Sequence, residues 1–103
     1  MKGLQDLMKQ AQQLQAKMAA LQENLGRRTV EAAAGGGMVT VVVNGRQELL
    51  KLTIEPEVIV AEDRELLQDL ILAAVNEGLN RSRELAQGEM RQLTGGLQVP
   101  GLT

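Results

Sequence analysis

Apolar residues recur through the first quarter of the chain at Leu4, Leu7, Ala11, Leu14, Met18, Leu21 and Leu25, at alternating spacings of three and four. Such a heptad seam marks one amphipathic helix. It predicts a helix from about residue 3 to 25, with Gly26 as the residue just past its end and Arg27 and Arg28 near the negative end of its dipole. Twenty-two residues at about 1.5 Å each make a rod of roughly 33 Å. A compact chain of this length has a radius of gyration near ~13 Å. Part of the seam is therefore expected to stand out from the body or to meet another chain.

The pattern changes at residue 29. Thr29 to Ala33 alternates, with Val30 and Ala32 on one face, and predicts a short strand. Gly35-Gly36-Gly37 is a connection. Met38 to Val43 is a β-branched run, Asn44-Gly45 a turn pair, and Arg46 to Ile54 a returning strand. A two-residue type I′ turn sets Val39 opposite Leu50, Val41 opposite Glu48 and Val43 opposite Arg46. Leu52 and Ile54 then extend that face toward the core. The other face carries Met38, Thr40, Val42, Gln47, Leu49, Lys51 and Thr53. It is too apolar for full solvation, so a second subunit is expected to cover it.

Pro56 ends the strand because it cannot donate to a ladder. Glu57 to Asp63 connects, with Glu62 and Asp63 suited to a helix start. A second long helix is expected from about Arg64 to Gln92. Its stripe is Leu67, Leu70, Ile71, Ala74, Val75 and Gly78, with Leu85 and Met90 continuing less regularly. Gly78 and Gly88 each weaken it by about 1 kcal/mol relative to Ala. Residues from Thr94 onward read as an irregular tail. The expected fold is thus α+β in the order α-β-β-β-α: an antiparallel three-stranded sheet flanked by long N- and C-terminal helices, in a homodimer. One domain is expected over residues 1–94, followed by a tail over 95–103.

Composition narrows what this fold can do. The 103 residues include no Phe, Tyr, Trp, Cys or His. The core must be aliphatic, and it forgoes the ~150–250 Å² that each aromatic buries. Dimerisation recovers buried area, and Leu7, Leu14, Met18, Leu21, Met38, Val42 and Leu49 are the expected core or dimer contacts. Without Cys there is no disulfide or thiolate nucleophile, and without His the usual general base and commonest metal ligand are missing. Ser82, the one serine, has no histidine to activate it. The carboxylate pairs Glu55/Glu57 and Glu62/Asp63 flank a proline turn and a helix start, and they lack the Asp-rich spacing of a calcium loop. The triple glycine lacks the lysine and the following helix of a phosphate-binding loop. No enzyme activity, metal, cofactor or small-molecule substrate is expected. No apolar run approaches ~20 residues, and the N-terminus lacks a signal core, so no membrane partner is expected and the cytoplasm is the expected location.

Charge is uneven. Residues 1–28 hold five cations against two acids, a net +3, whereas residues 29–69 hold three against eight, a net −5. Residues 70–103 balance. A protein that touches a polyanion with one end is built this way. Lys2 and Lys9, seven apart, share a helical face, with Lys17 about a turn off that line. Arg27 and Arg28 follow them, and Arg81, Arg83 and Arg91 lie on the last helix. Gln5, Gln10, Gln12, Gln13 and Gln15 intervene, and their amides can bond phosphates or base edges. These eight cations are the candidate phosphate contacts. The rival reading is a protein-binding adaptor that uses the heptad helix and the second sheet face.

Several pieces, in order, resemble the YbaB/EbfC family of bacterial nucleoid-associated proteins. They are Met1-Lys2-Gly3-Leu4-Gln5-Asp6-Leu7-Met8-Lys9-Gln10-Ala11, the Gly-rich step into Val39-Thr40-Val41, Asn44-Gly45, Ile54-Glu55-Pro56-Glu57, Asp69-Leu70-Ile71, Ala73-Ala74-Val75-Asn76 and the closing Gly95-Gly96…Pro100-Gly101. The resemblance spans nearly the whole chain. It implies a homodimer whose terminal helices project like tweezers and bind double-stranded DNA with low or modest sequence preference. It further implies a protein of the nucleoid that affects its organisation and gene expression.

Overall fold

The computed structural model describes residues 2–95 and, from residue 3, their side chains. The chain forms α1 (Lys2–Arg27), β1 (Thr29–Ala34), β2 (Val39–Asn44), β3 (Leu49–Ile54), two short 3-10 turns (Pro56–Val58 and Ala61–Asp63) and α2 (Arg64–Thr94). The fold is α+β, and the antiparallel sheet has the order β1-β2-β3. Beyond Gly95 the expected tail lies outside the described residues. The body measures 73 × 25 × 16 Å with a radius of gyration of 19.9 Å, well above the ~13 Å of a compact chain of this length.

The core lies between one sheet face and the first half of α2. Cross-strand rows on that face are Val30–Val43–Leu49, Ala32–Val41–Leu52 and Ala34–Val39–Ile54. Val39, Val41 and Val43 are fully buried, as is Ala74 from α2. Burying each valine contributes about 1.5–3 kcal/mol. Leu67, Leu70, Ile71, Val75 and Leu79 complete the packing. Gly78 brings the helix onto the sheet: a Cβ there would sit 2.8 and 2.9 Å from methyls of Val43 and Val41. The glycine that weakens the isolated helix is thus what lets it approach, and α2 continues unbroken through Gly78 and Gly88.

The hairpin register differs from expectation. Val39 pairs with Ile54, Thr40 with Thr53, Val41 with Leu52 and Val42 with Lys51, and a bulge then sets Val43 against Leu49. The turn is not a two-residue type I′. Asn44 stays in β2, and its N–H donates to the Glu48 carbonyl at 3.0 Å. Gln47 closes the turn by donating to the Asn44 carbonyl, and it alone among the described non-glycine residues has a positive φ, 63°. This is a three-residue loop ending in a left-handed residue. The Asn44 side-chain carbonyl accepts from the N–H groups of Arg46 and Glu48, both at 3.0 Å, and fixes the loop. The bulge carries Leu49 onto the core face, away from Val42, where the two-residue turn had put them together. Met38 lies just before β2 and is half-buried.

Gly45 is required for contact and not for a positive φ, which only Gly35, Gly36 and Gly37 show among the described glycines. Its N–H donates to the carbonyls of Leu25 (2.8 Å) and Arg28 (3.0 Å), and a Cβ would lie 2.8 Å from the Leu25 carbonyl. The hairpin loop therefore seats the end of α1. The helix runs through Gly26 to Arg27, so Gly26 is inside it and not past its end. Arg28 N–H donates to the Asn24 and Leu25 carbonyls and closes the last turn. At the start of α2, Asp63 occupies the cap position without a side-chain capping bond.

Candidate nucleic-acid interface

Beyond the sheet, the second half of α2 runs alongside α1 and the two form an arm. The heptad seam is graded along it. Leu4, Leu7 and Leu14 are 71%, 63% and 43% exposed, whereas Leu21 and Leu25 fall to 8% and 3%. Burial of the seam leucines thus concentrates at the root, where α1 meets α2 and the hairpin loop. Met18 is half-buried at the middle of the arm. Arg28, where the chain leaves α1, pairs with Glu89 of α2 and ties the root together.

At about 3.6 residues per turn, Lys9 and Arg27 are five turns apart and share the α1 face opposite the seam. Lys17 lies at the side, flanking the groove between the helices together with Leu21, Asn24, Glu89 and Leu93. Lys2 opens α1, but its side chain lies outside the described residues. Arg27 pairs with Glu23 at 2.6 Å one turn earlier on an exposed surface. The three arginines of α2 do not share a face. Arg81 turns toward β1, where it donates to the Glu31 carbonyl at 2.5 Å and also pairs with Glu77. Arg83 donates to the neutral side chain of Asn80. Arg91 is exposed near the arm's end. Among the described residues, Lys9, Lys17, Arg83 and Arg91 have no acidic partner. The others are held in pairs of the kind that contribute only about 0–1 kcal/mol at an exposed surface.

Two residues with structural roles escaped the sequence reading. Ser82 is fully buried. Its hydroxyl donates to the Asn44 carbonyl at 2.7 Å and accepts from the Gln47 N–H at 3.1 Å, bolting α2 to the hairpin loop. Asn44 is buried and bonds Glu48 and the Gly26 carbonyl through its side-chain amide. Nothing in a lone serine at helical spacing betrays such a role; its place on the core-facing side of α2 was the one available signal. Among the described residues no cluster of acids is disposed to hold a metal, and no helix is long and apolar enough to cross a membrane.

The described residues thus form a small sheet body with a two-helix arm that carries most of the candidate cations. The YbaB/EbfC DNA-binding family model matches residues 1–97, and the chain belongs to that family. It is 58% identical over 95 residues to a nucleoid-associated protein of Syntrophobacter fumaroxidans, covering 92% of this chain and 86% of that one. It is 52% identical over 100 residues to a nucleoid-associated protein of Pelotomaculum thermopropionicum, covering 97% and 95%. The crystal structure of an uncharacterized protein from Helicobacter pylori superimposes with a TM-score of 0.81 at 26% identity, covering 89% of this chain and 97% of that one.

Proposed function

We propose that this protein grips double-stranded DNA as a homodimer, with low or modest sequence preference, and through it affects nucleoid organisation and gene expression in the cytoplasm. Membership of a DNA-binding family supports DNA as the partner, and the observation that carries the grip is the arm. Among the described residues Lys9, Lys17, Arg83 and Arg91 have no acidic partner, and the glutamines between the lysines add hydrogen-bonding reach. With no aromatic side chain, single strands find nothing to stack on, so duplex is the favoured form.

The surface suited to a second copy is the β3 margin. α2 covers β1 and β2, which leaves the core-face side chains Leu49 and Leu52 exposed. Leu72, Val75 and Leu79 lie on the side of α2 away from Arg81, which turns to β1. They therefore continue the apolar surface of β3. Among the described residues no hydrogen bond reaches the outer edge of β3. An uncovered apolar margin beside an open strand edge is a pairing surface.

The test is a titration of duplex at two salt concentrations, with molar mass measured by light scattering. Four phosphate contacts per subunit give about eight per dimer, and log K then falls with log salt at a slope near −7. Binding that is absent at low salt, indifferent to salt, or equal for single strands overturns the reading. So does a stably folded monomer at micromolar concentration.

A further inference from the structure

We infer that Arg46, on the hairpin loop, is a further phosphate contact at the root of the arm, seated there by the bare backbone of Gly26. The inference rests on the grip on duplex DNA proposed above. Gly26 lies inside α1, where glycine weakens a helix, and it is not among the glycines with a positive φ. Its backbone therefore does not call for glycine, but a neighbour does. A Cβ at Gly26 would stand 3.2 Å from Cδ of Arg46 and 3.8 Å from its Nη1, the atoms of a neighbouring element that come within 4 Å. The arginine stem thus lies across α1 where a side chain would otherwise stand, and the charged head is carried to the helix surface.

The loop that holds Arg46 is already fixed. Its own N–H donates to the Asn44 side-chain carbonyl at 3.0 Å, the Gly45 N–H donates to the Leu25 carbonyl at 2.8 Å, and the Ser82 hydroxyl donates to the Asn44 carbonyl at 2.7 Å. Less ordering is then left for a ligand to impose. The carboxylates nearest along the chain are engaged elsewhere: Glu23 by Arg27 at 2.6 Å, and Glu48 by the Asn44 amide at 2.8 Å. Arg46 is exposed and has no acidic partner among the described residues. Its planar guanidinium suits a phosphate, which it can meet with two parallel N–H bonds. At about 100° per residue, Gln12 and Gln15 lie within about 40° of Gly26 around α1, and Lys9 and Arg27 lie about 100° to one side. Arg46 therefore stands at the root end of the surface that carries the glutamines and two of the candidate cations. It adds a group from the sheet body to a grip otherwise built from the two helices.

The test is the salt dependence of binding to a mixed-sequence duplex, in the full-length protein. Arg46→Gln removes two phosphate contacts per dimer, so the slope of log K on log salt should flatten by about 2 relative to wild type. Arg46→Lys keeps the charge and should keep the slope. Arg64→Gln loses the same charge at the start of α2, away from the arm, and should also keep it. Gly26→Ala changes no charge, yet it should weaken binding about threefold by lifting the arginine stem, and it should have no such effect in the Arg46→Gln background. An unchanged slope in Arg46→Gln overturns the proposal, and so does equal flattening by Arg64→Gln. Gly26→Ala that acts equally in both backgrounds, or in neither, overturns the seating. A merely structural role, as a cation at the negative end of α1, would lower the thermal midpoint of Arg46→Gln and leave its slope alone. Wild type that fails to bind duplex refutes the grip itself, whereas wild type that binds with a slope matched by Arg46→Gln refutes the Arg46 contact alone.

Discussion

Gly78 and Gly88 occupy the same helix and should answer the same substitution with opposite signs. Gly78→Ala sets a methyl against Val41 and Val43, and overpacking of that kind costs about 1–3 kcal/mol, more than the ~1 kcal/mol of helix propensity it gains. Gly88 has no heavy atom within 4 Å of a Cβ, so Gly88→Ala should stabilise by about 1 kcal/mol. Thermal melts of the two variants against wild type check the pair. Gly45→Ala belongs with Gly78, because the Leu25 carbonyl backbone stands where the methyl would go; a loss of about 2 kcal/mol is expected. Ser82→Ala removes both hydroxyl bonds but leaves the Gln47 N–H its other acceptor, the Asn44 carbonyl, and should cost about 1 kcal/mol. In three of the four cases a group on a neighbouring element decides the outcome, and at Gly88 the lack of one does. Local sequence shows the glycine or the serine and not what faces it.

Leu21 is where α1 joins the rest of the protein. Leu21→Asp places a charge in a buried seam, at a cost of about 3 kcal/mol or more. Amide exchange should then accelerate through α1 while the β2 ladder stays protected, and equal loosening of both would show that the two elements do not separate. The helices and strands were legible because their periods differ: three-four spacing from Leu4 to Leu25, alternation and β-branching from Val39 to Val43. Their order and type follow from that contrast alone. The hairpin register was not legible. Asn44-Gly45 reads as a turn pair, yet the Asn44 side chain accepts from Arg46 and Glu48, and Gly45 bonds the end of α1. The loop is thereby set by a helix twenty residues away in sequence. Likewise Gly26 reads as a stop, but the last turn of α1 is held beyond it by Arg28. The candidate cations could be found in the sequence, but their pairing with Glu23, Glu77 and Glu89 depends on which faces meet.

For the whole molecule, two surfaces should be separable. Lys9→Glu with Lys17→Glu should weaken duplex binding by reversing four charges per dimer while leaving the mass unchanged, since both side chains lie on the arm; conversion to monomer would place the arm in the dimer contact. Leu49→Asp with Leu52→Asp should do the reverse first, yielding a folded species of 11.1 kDa, because charge on an uncovered apolar margin opposes association. A dimer of unchanged mass would locate the contact elsewhere. The elongated outline of the chain governs how such results are read. A radius of gyration of 19.9 Å is that of a compact protein of roughly 330 residues. Elongation also raises the friction of a single copy, so gel-filtration elution would overstate its mass and light scattering is the measurement that separates shape from assembly.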